Sequence, residues 1–484
     1  MKINLPEKVN TIIETLLAHG YEAYAVGGCV RDSLLGREAD DWDITTSASP
    51  HEVKELFRRT IDTGIQHGTV TVMLDKEGFE VTTYRIDGEY EDGRHPKEVL
   101  FTKNLEEDLK RRDFTINAMA YNEQTGLVDI FDGIGDLEKG MIRCVGVARE
   151  RFEEDALRIL RAYRFSAQLG FEIDTETREA ATLLVKNLKK ISAERIRVEL
   201  TKLLLSGHPD RLVWAMEDGI TPEFLPEWDQ MFQTSQNNPN HLYNVGKHTL
   251  LTVEMVGEKE KQKRFAEQRL AGRISEEKLQ DVFEKKEWSK KELTMLHYAA
   301  LLHDVAKPLL KKQKENGEEH FPGHAKESAV LARELMHRLK FDNETTDMVV
   351  RLVAAHDAYD YEKSPAGMRR LMHGLGPDMM ELLWELQLAD VLAQHPDGLL
   401  PKLEALAEAI RLHREVLERG DCVSLKTLAV NGRDLIALGA EPGKAIGELL
   451  DGLLEKVLEH PELNERETLL ALLTEKKQAK TKQA

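Results

Sequence analysis

Residues 24–46, YAVGGCVRDSLLGREADDWDITT, run from a strand-like apolar stretch through a double glycine and a helix-like segment to two carboxylates separated by one residue. In an extended chain successive side chains alternate between faces, so Asp41 and Asp43 project together. Like charges that close repel unless a cation lies between them, and Asp-x-Asp supplies the hard oxygen ligands that suit a Mg²⁺ carrying substrate phosphates. A solvated acidic turn is the other reading of EADDWD. Gly27 and Gly28 just upstream favour the first, because adjacent glycines let backbone N–H groups approach and nest a phosphate. Together these features describe a site for a metal-bound triphosphate.

At 484 residues the chain is too long for one core and predicts three or four domains. Hydrophobic content of 41% beside 32% charged residues is that of an ordinary soluble protein. No apolar run is long enough to predict a membrane span. The N-terminus, MKINLPEKVNTIIETLLAHG, has an acidic amphipathic helix pattern without a signal-peptide core, which predicts a cytoplasmic location. Cys29, Cys144 and Cys422 are far apart and odd in number, as expected of reduced structural residues. A net charge of −19 argues against nucleic-acid binding over the whole surface but allows a local basic groove, and residues 94–112 end in the basic cluster Lys110, Arg111, Arg112.

Strand-like runs, EAYAVGG, GTVTVMLD, FEVTTYRI and GLVDIFDG, fall between residues 20 and 135 and predict one sheet. From about residue 150 the pattern is almost wholly helical, with a stripe at Ile159, Leu160, Tyr163 and Ala167. Residues 257–292 are nearly half charged and predict an exposed helical insertion. The final KKQAKTKQA predicts disorder.

Further motifs follow the first in order: RRDFTINAMAYN (111–122), DGIGDLEKG (132–140), EEDALRILRAYRFSAQLGFEI (153–173) and SAERIRVELTKLL (192–204). Their order and spacing resemble the class II tRNA nucleotidyltransferase and bacterial poly(A) polymerase family, densely over residues 20–230. The resemblance implies an α+β chain: an N-terminal nucleotidyltransferase head with a small mixed sheet (1–140), an all-α neck (141–235), an HD-type helical body (236–395), a helical tRNA-binding tail (396–475) and a disordered end (476–484). It implies attack of a tRNA 3′-hydroxyl on the α-phosphate of CTP or ATP, with Mg²⁺ held by Asp41 and Asp43, and Glu80 as a third acidic position. Alone, Glu80 reads equally as a surface strand residue.

Phosphate handling falls to Gly27, Gly28, Arg31, Arg111 and Arg112, since a triphosphate needs backbone donors and guanidinium forks. Asp113 and Asn117, four apart, share a face if a helix begins at that motif, though Asp113 also reads as an N-cap; the resemblance places both at the nucleotide, with Arg161 and Arg164. Asp155 and Arg158, three apart, suggest an exposed salt bridge by spacing alone. By resemblance they are a protein template, Asp accepting from the base amino group and Arg donating to the ring nitrogen, so that C and A are admitted and U and G disfavoured. Residues 87–101 resemble a loop that CCA-adding and A-adding members carry and CC-only members have shortened.

A second constellation begins at ALLHDVAKP (300–308), where His303 and Asp304 lie on an apolar helix, a costly place for polar groups that bind nothing. With His248 and Asp390, and His324 and His356 as extra ligands, it resembles an HD-type phosphohydrolase domain holding a divalent transition metal; a vestigial, structural role is the other reading. The expected function is CCA addition to tRNA from CTP and ATP with pyrophosphate release. A-adding or poly(A) polymerase activity and an HD-type phosphohydrolase acting on RNA ends are the alternatives, and neither a membrane nor an obligate protein partner is implied.

Overall fold

The computed structural model describes residues 2–39, 41–87, 99–270, 279–358 and 363–483, with side chains to residue 474. The chain divides into two compact units, Met1–Asp229 and Gln230–Ala484.

The first unit is organised by a seven-stranded mixed sheet. Helix α1 (Glu7–Ala18) buries Val9, Ile12, Ile13 and Leu16, an i, i+3, i+4, i+7 stripe that can lie on one sheet face. Strand β1 (Ala23–Val26) is buried throughout because both its faces are covered. Ala23 and Ala25 join the α1 cluster, while Tyr24 and Val26 pack with Tyr84, Leu109, Ala118 and Ala120 on the other side. Helix α2 (Gly28–Leu34), β2 (Ile44–Thr46), α3 (Pro50–Leu56), β3 (Thr60–Gly64), β4 (Thr69–Leu74) and β5 (Glu77–Thr83) follow. A ribbon of β6 (Arg85–Asp87) and β7 (Val99–Phe101), then α4 (Leu105–Lys110), β8 (Met119–Asn122) and β9 (Gly126–Asp129), completes the head. The sheet order is β3-β4-β5-β2-β1-β8-β9, with β2 parallel to β5 and every other pair antiparallel.

Sequence patterning finds β1, β4, β5 and β9 and misses β2, β3 and β8, which are short and read as parts of the loops and motifs around them. The loop expected over 87–101 lies outside the described residues from 88 to 98; its two ends pair as strands, Arg85 opposite Phe101 and Asp87 opposite Val99.

The rest of this unit is helical: α5 (Gly133–Lys139), α6 (Ala148–Glu154), α7 (Leu157–Leu169), α8 (Thr175–Leu184) and α9 (Ala193–Leu204). All members of the predicted stripe, Ile159, Leu160, Tyr163 and Ala167, are buried in α7. The pattern is not wholly helical, since Met141–Ile142 pairs with Glu172–Ile173 in parallel.

In the second unit the helix Met380–Ala393 is buried on nearly every face, with Glu381 alone left out of its buried set. Such a helix has no amphipathic stripe because neighbours surround it. The helices Val245–Met255, Lys290–Leu302 and Leu399–Glu418 pack around it. Within the charged segment 257–292, the described residues are less exposed than expected. Its helix Lys259–Leu270 buries Gln262, Ala266 and Leu270. Buried Glu385 anchors it, accepting from Gly257 N at 2.8 Å and Gln262 Nε2 at 2.5 Å and pairing with Lys259 Nζ at 2.7 Å. The few apolar residues fall on one face, which a charge count does not register. The last helix, Arg466–Gln483, carries helical backbone into the end expected to be disordered, where Lys, Gln and Ala are good helix formers.

Candidate functional sites

The parallel pairing of β2 with β5 sets Ile44 opposite Val81, so Asp43 and Glu80, each one residue earlier, stand side by side at the strand edge. Asp41, two residues upstream of Asp43, completes the acidic group. The three carboxylates feel one another: burial raises Glu80 above the usual carboxylate range, with Asp43 and then Asp41 adding to the rise. Burial likewise raises Asp43, Arg112 opposing and Asp41 adding. Both side chains remain open to solvent, so this burial is that of a concave edge rather than a core.

Arg112 links this edge to the glycine turn. Gly27 sits at φ 84° as the residue before α2, and a Cβ there would lie 3.1 Å from Arg112 Nη1. Glycine is favoured by the backbone angle, and its missing Cβ lets the guanidinium pack closely on it. On the other side, Arg31 Nη1 donates to Asn117 Oδ1 at 2.6 Å, and Asn117 Nδ2 to Asp113 Oδ1 at 3.2 Å. Arg161 Nε donates to Asp113 Oδ2 at 2.7 Å. Burial opposes ionisation of Asp113, but Arg161 and Arg158 outweigh it and hold the carboxyl well below its ordinary value. Asp113 and Asn117 therefore meet, though not on a helix face: a single 3₁₀ turn, Thr115–Asn117, brings them together. The Phe165 ring lies under Arg164, Arg31 and Arg161, whose guanidinium carbons are 3.5, 5.0 and 5.3 Å from its centroid.

The template pair is arranged differently from the expected helical face. Asp155 is extended, at φ −143° and ψ 103°, in the break between α6 and α7. Its carboxylate accepts Leu157 N at 3.0 Å and a two-pronged clasp from Arg195, Nη1 at 3.2 Å and Nη2 at 2.6 Å. Arg158 turns to Glu154 at 2.5 Å and donates Nη1 to the Arg151 carbonyl at 3.1 Å and Nη2 to the Arg111 carbonyl at 2.9 Å. An Asp155–Arg158 salt bridge is thus not the arrangement formed, because the helix starts after Asp155 and each member has another partner. Arg151 Nη1 donates to the Lys110 carbonyl at 3.0 Å, so two neck arginines hold the end of α4.

Sequence reasoning missed Asp108, Arg195 and Glu199. Asp108 is fully buried and receives Arg111 Nη2 at 2.8 Å and Arg112 Nη2 at 3.5 Å. Its i, i+3 and i, i+4 spacing to those arginines was a readable signal. Glu199 pairs with Arg164 at 2.7 Å across α7 and α9, a long-range partnership without a local signature.

In the second unit His248, His303, Asp304 and Asp390 converge. His248 Nε2 lies 2.9 Å from Asp390 Oδ1 and 3.5 Å from Asp304 Oδ2, and His303 Nε2 lies 3.1 Å from Asp304 Oδ2. His324 and His356 approach Asp304 Oδ1 at 3.4 and 3.8 Å. His303 and Asp304 follow the helix rather than lying within it, since Lys290–Leu302 ends one residue earlier. Nδ1 of His303, His324 and His356 faces the carbonyl of Ala300, Phe321 and Val353 at 2.8, 3.1 and 2.7 Å. With Nδ1 donating there, Nε2 presents a lone pair, the arrangement of an imidazole ligand. Burial first, then His303, pushes His356 below the ordinary imidazole value. Burial opposes ionisation of Asp304, yet His303 and Lys307 hold it well below its ordinary value.

The first unit has the fold of a poly(A) polymerase head domain. The family model for the poly(A) polymerase head domain matches residues 23–143, that for the RNA and SrmB-binding site of polymerase A residues 170–232, the HD domain residues 240–394 and tRNA nucleotidyltransferase domain 2 residues 324–473. A CCA-adding enzyme of Leuconostoc mesenteroides is 46% identical over 273 residues, 54% of this chain and 68% of that protein. The chain belongs to the CCA-adding enzyme family. A CCA-adding enzyme of Lactiplantibacillus plantarum is 56% identical over 198 residues, 41% of this chain and 49% of the relative, so the matched segment spans about half the relative's length. The crystal structure of the Bacillus stearothermophilus CCA-adding enzyme in complex with CTP superposes with a TM-score of 0.69 at 29% identity over 98% of each chain. That of the Thermotoga maritima CCA-adding enzyme complexed with tRNA, at 21% identity and TM-score 0.53 over 98% of this chain and 100% of that one, shares the fold. A head of this family implies a divalent metal, and the hard carboxylate oxygens of Asp41, Asp43 and Glu80 fit one. No helix among the described residues is long and apolar enough to cross a membrane.

Proposed function

We propose that this chain adds CCA to the 3′ end of tRNA from CTP and ATP, releasing pyrophosphate, in the cytoplasm. The observation that carries the reading is the continuous set running from the Asp43–Glu80 edge through Arg112 and Gly27 to Arg31, Asn117, Asp113 and the start of α7. Arg31, Arg111 and Arg112 receive the triphosphate with the Gly27–Gly28 backbone, and Asp155 and Arg158 read the base. Asp155 has about four lone-pair sites. Arg195 and Leu157 N take three, which leaves one to accept from the amino group of cytosine or adenine. Asp41, Asp43 and Glu80 would hold Mg²⁺, which when bound would supply activation of the attacking oxygen and stabilisation of the leaving one. The buried cysteines suit a reducing compartment; burial above all pushes Cys29 up to about 11 and Cys144 to about 12, so both stay as thiols. Incubation with tRNA ending at the discriminator base, at C and at CC, followed by product sequencing, tests the reading. All three should end in CCA. Extension of the CC substrate alone would make the chain an A-adding enzyme, and a run of A a poly(A) polymerase.

The HD constellation favours a second reading beside the first. We infer that His248, His303, Asp304 and Asp390 hold a divalent transition metal and serve phosphoester hydrolysis at RNA ends. The support is the convergence of Nε2 lone pairs on two buried carboxylates. Metal-dependent release of p-nitrophenol from p-nitrophenyl phosphodiesters that disappears in His303→Ala/Asp304→Ala, with nucleotide addition retained, is the expected result.

A further inference from the structure

We propose that a cavity in the second unit, walled by Trp288, Trp384 and Glu385, binds a nucleoside monophosphate whose base carries an exocyclic amino group, with Glu385 and Trp288 bonding the base and Lys285 meeting the phosphate. None of its lining residues belongs to the acidic edge of the head or to the HD constellation.

Residues 281–288 are tied to the helices Met380–Ala393 and Leu399–Glu418 by ion pairs. Arg414 pairs with Asp281 at 2.5 Å and with Glu284, and Lys286 lies 3.5 Å from Glu381. Between these segments is a cavity of about 420 Å³, a size that holds small organic ligands. Buried polar atoms without a hydrogen bond gather around it. Among the described residues Trp288 Nε1 and Glu385 Oε2, both on the cavity wall, have none, and neither do Gln262 Oε1 and His413 Nε2. The last two stand one hydrogen bond behind the wall: Gln262 donates to Glu385 Oε1 at 2.5 Å, and His413 Nδ1 accepts from Trp384 Nε1 at 3.3 Å. Glu385 is 1% exposed, and its Oε1 also takes Gly257 N, whereas Oε2 has the charge of Lys259, 2.7 Å away, without a well-formed bond. Atoms of this kind are costly to bury, and several around one cavity call for an occupant that bonds them. Water would serve the polar atoms but leave the indoles, Val282 and Ile410 wetted.

The wall therefore offers an anionic acceptor and an indole donor beside aromatic surface. Adenine and cytosine fit that set, having an amino group to donate and a bare ring nitrogen to accept. Uracil and hypoxanthine would turn a carbonyl oxygen toward the carboxylate and leave it unpaired. At the rim Arg414 and Lys286 answer the charges of Asp281, Glu284 and Glu381, so exposed Lys285 remains to meet a phosphate. Lys286, 4.4 Å from the centroid of the Trp288 ring, adds positive charge at the same mouth. A polyamine, the opposite choice of ligand, would compete with Lys259 for Glu385 and find the rim acids already paired.

The test is photolabelling of the full chain with 2-azido-AMP and peptide mapping by mass spectrometry, which locates the label and so separates this cavity from the nucleotide site of the head. Label on peptides carrying Trp288 or Trp384 is expected, displaced by AMP and CMP and about tenfold less well by IMP and UMP. Trp288→Phe, which keeps a ring and removes the donor, should weaken AMP about tenfold, and Lys285→Ala should weaken AMP while leaving adenosine unchanged. The displacement series in the parent needs no substitution, so a misfolded variant leaves the test intact. Absence of label from those peptides overturns the proposal and fills the cavity with water. Displacement by IMP as effective as by AMP overturns it equally, since the amino group would then not be read.

Discussion

Arg195→Ala is the substitution that separates base reading from mere packing. Arg195 gives Asp155 two charge-assisted hydrogen bonds, at 2.6 and 3.2 Å, and its loss leaves the carboxylate with the bond from Leu157 N. Both side chains are about one-fifth exposed, 21% and 16%, so the stability cost is discounted from a buried pair to about 1–2 kcal/mol. Selectivity should suffer more. A site built to hydrogen-bond a base loses about 1–3 kcal/mol when one partner is mispositioned, which is roughly a tenfold to hundredfold effect. The expected result is a kcat/KM advantage of CTP and ATP over UTP that narrows at least tenfold, with a smaller loss in Arg195→Lys, which keeps the charge but not the planar fork. The assay is single-nucleotide addition to matched tRNA substrates at a temperature where melting curves show parent and variants folded. A lowered melting temperature with unchanged nucleotide ratios would refute the reasoning and reduce the clasp to a brace between α6 and α9.

Three further outcomes follow from the same geometry. On the proposed function one acidic edge would serve both steps and distributed phosphate contacts would hold tRNA, so Asp41→Asn or Asp43→Asn should abolish C and A addition alike and leave tRNA affinity within a few fold; full A addition in either variant, measured by gel extension, would contradict a single site. Asp108→Asn should destabilise the first unit by about 2–3 kcal/mol, below the figure for a wholly buried pair since Arg111 and Arg112 are 17% and 18% exposed, and should raise KM for both nucleotides; denaturant melts and steady-state kinetics check this. Asp113 has a depressed folded pKa, so its contribution to stability is present above the unfolded value near pH 4 and is lost as pH falls toward the folded value. Over that window it adds up to about 1.4 kcal/mol per pH unit, and Asp113→Asn should flatten the acid limb of the melting profile; an unchanged slope would show that Asp113 does not drive it.

What the sequence made legible was local. Gly27, Gly28, Asp41 and Asp43 sit within one short stretch whose spacing already carries their chemistry, and the α7 stripe announces its buried face by period alone. Glu80 reads equally as a surface strand residue from its own stretch and gains an acidic-site role only through the family resemblance; the parallel register of β2 and β5 sets it beside Asp43, a pairing that no local pattern encodes. Asp155 shows the converse failure: the i, i+3 rule assumes a continuous helix, and the helix is broken at that residue. Arg195 and Glu199 were invisible as site residues because their partners lie far back along the chain, at Asp155 and Arg164. The charged segment 257–292 misled because composition averages over faces, while a single buried carboxylate, Glu385, sets its position.

The grip of Arg151 and Arg158 on the carbonyls of Lys110 and Arg111 bears on how such chains can be recombined. The residues proposed to hold phosphate and those proposed to read the base are fastened through backbone atoms, whose identity no substitution in the head can alter. A chimera cut between head and neck, at residue 140, would therefore split a single instrument, and a head borrowed from a relative keeps its aim only if the borrowed segment runs past Arg158. The piece that evolution or an engineer can move intact is longer than the sheet that defines it.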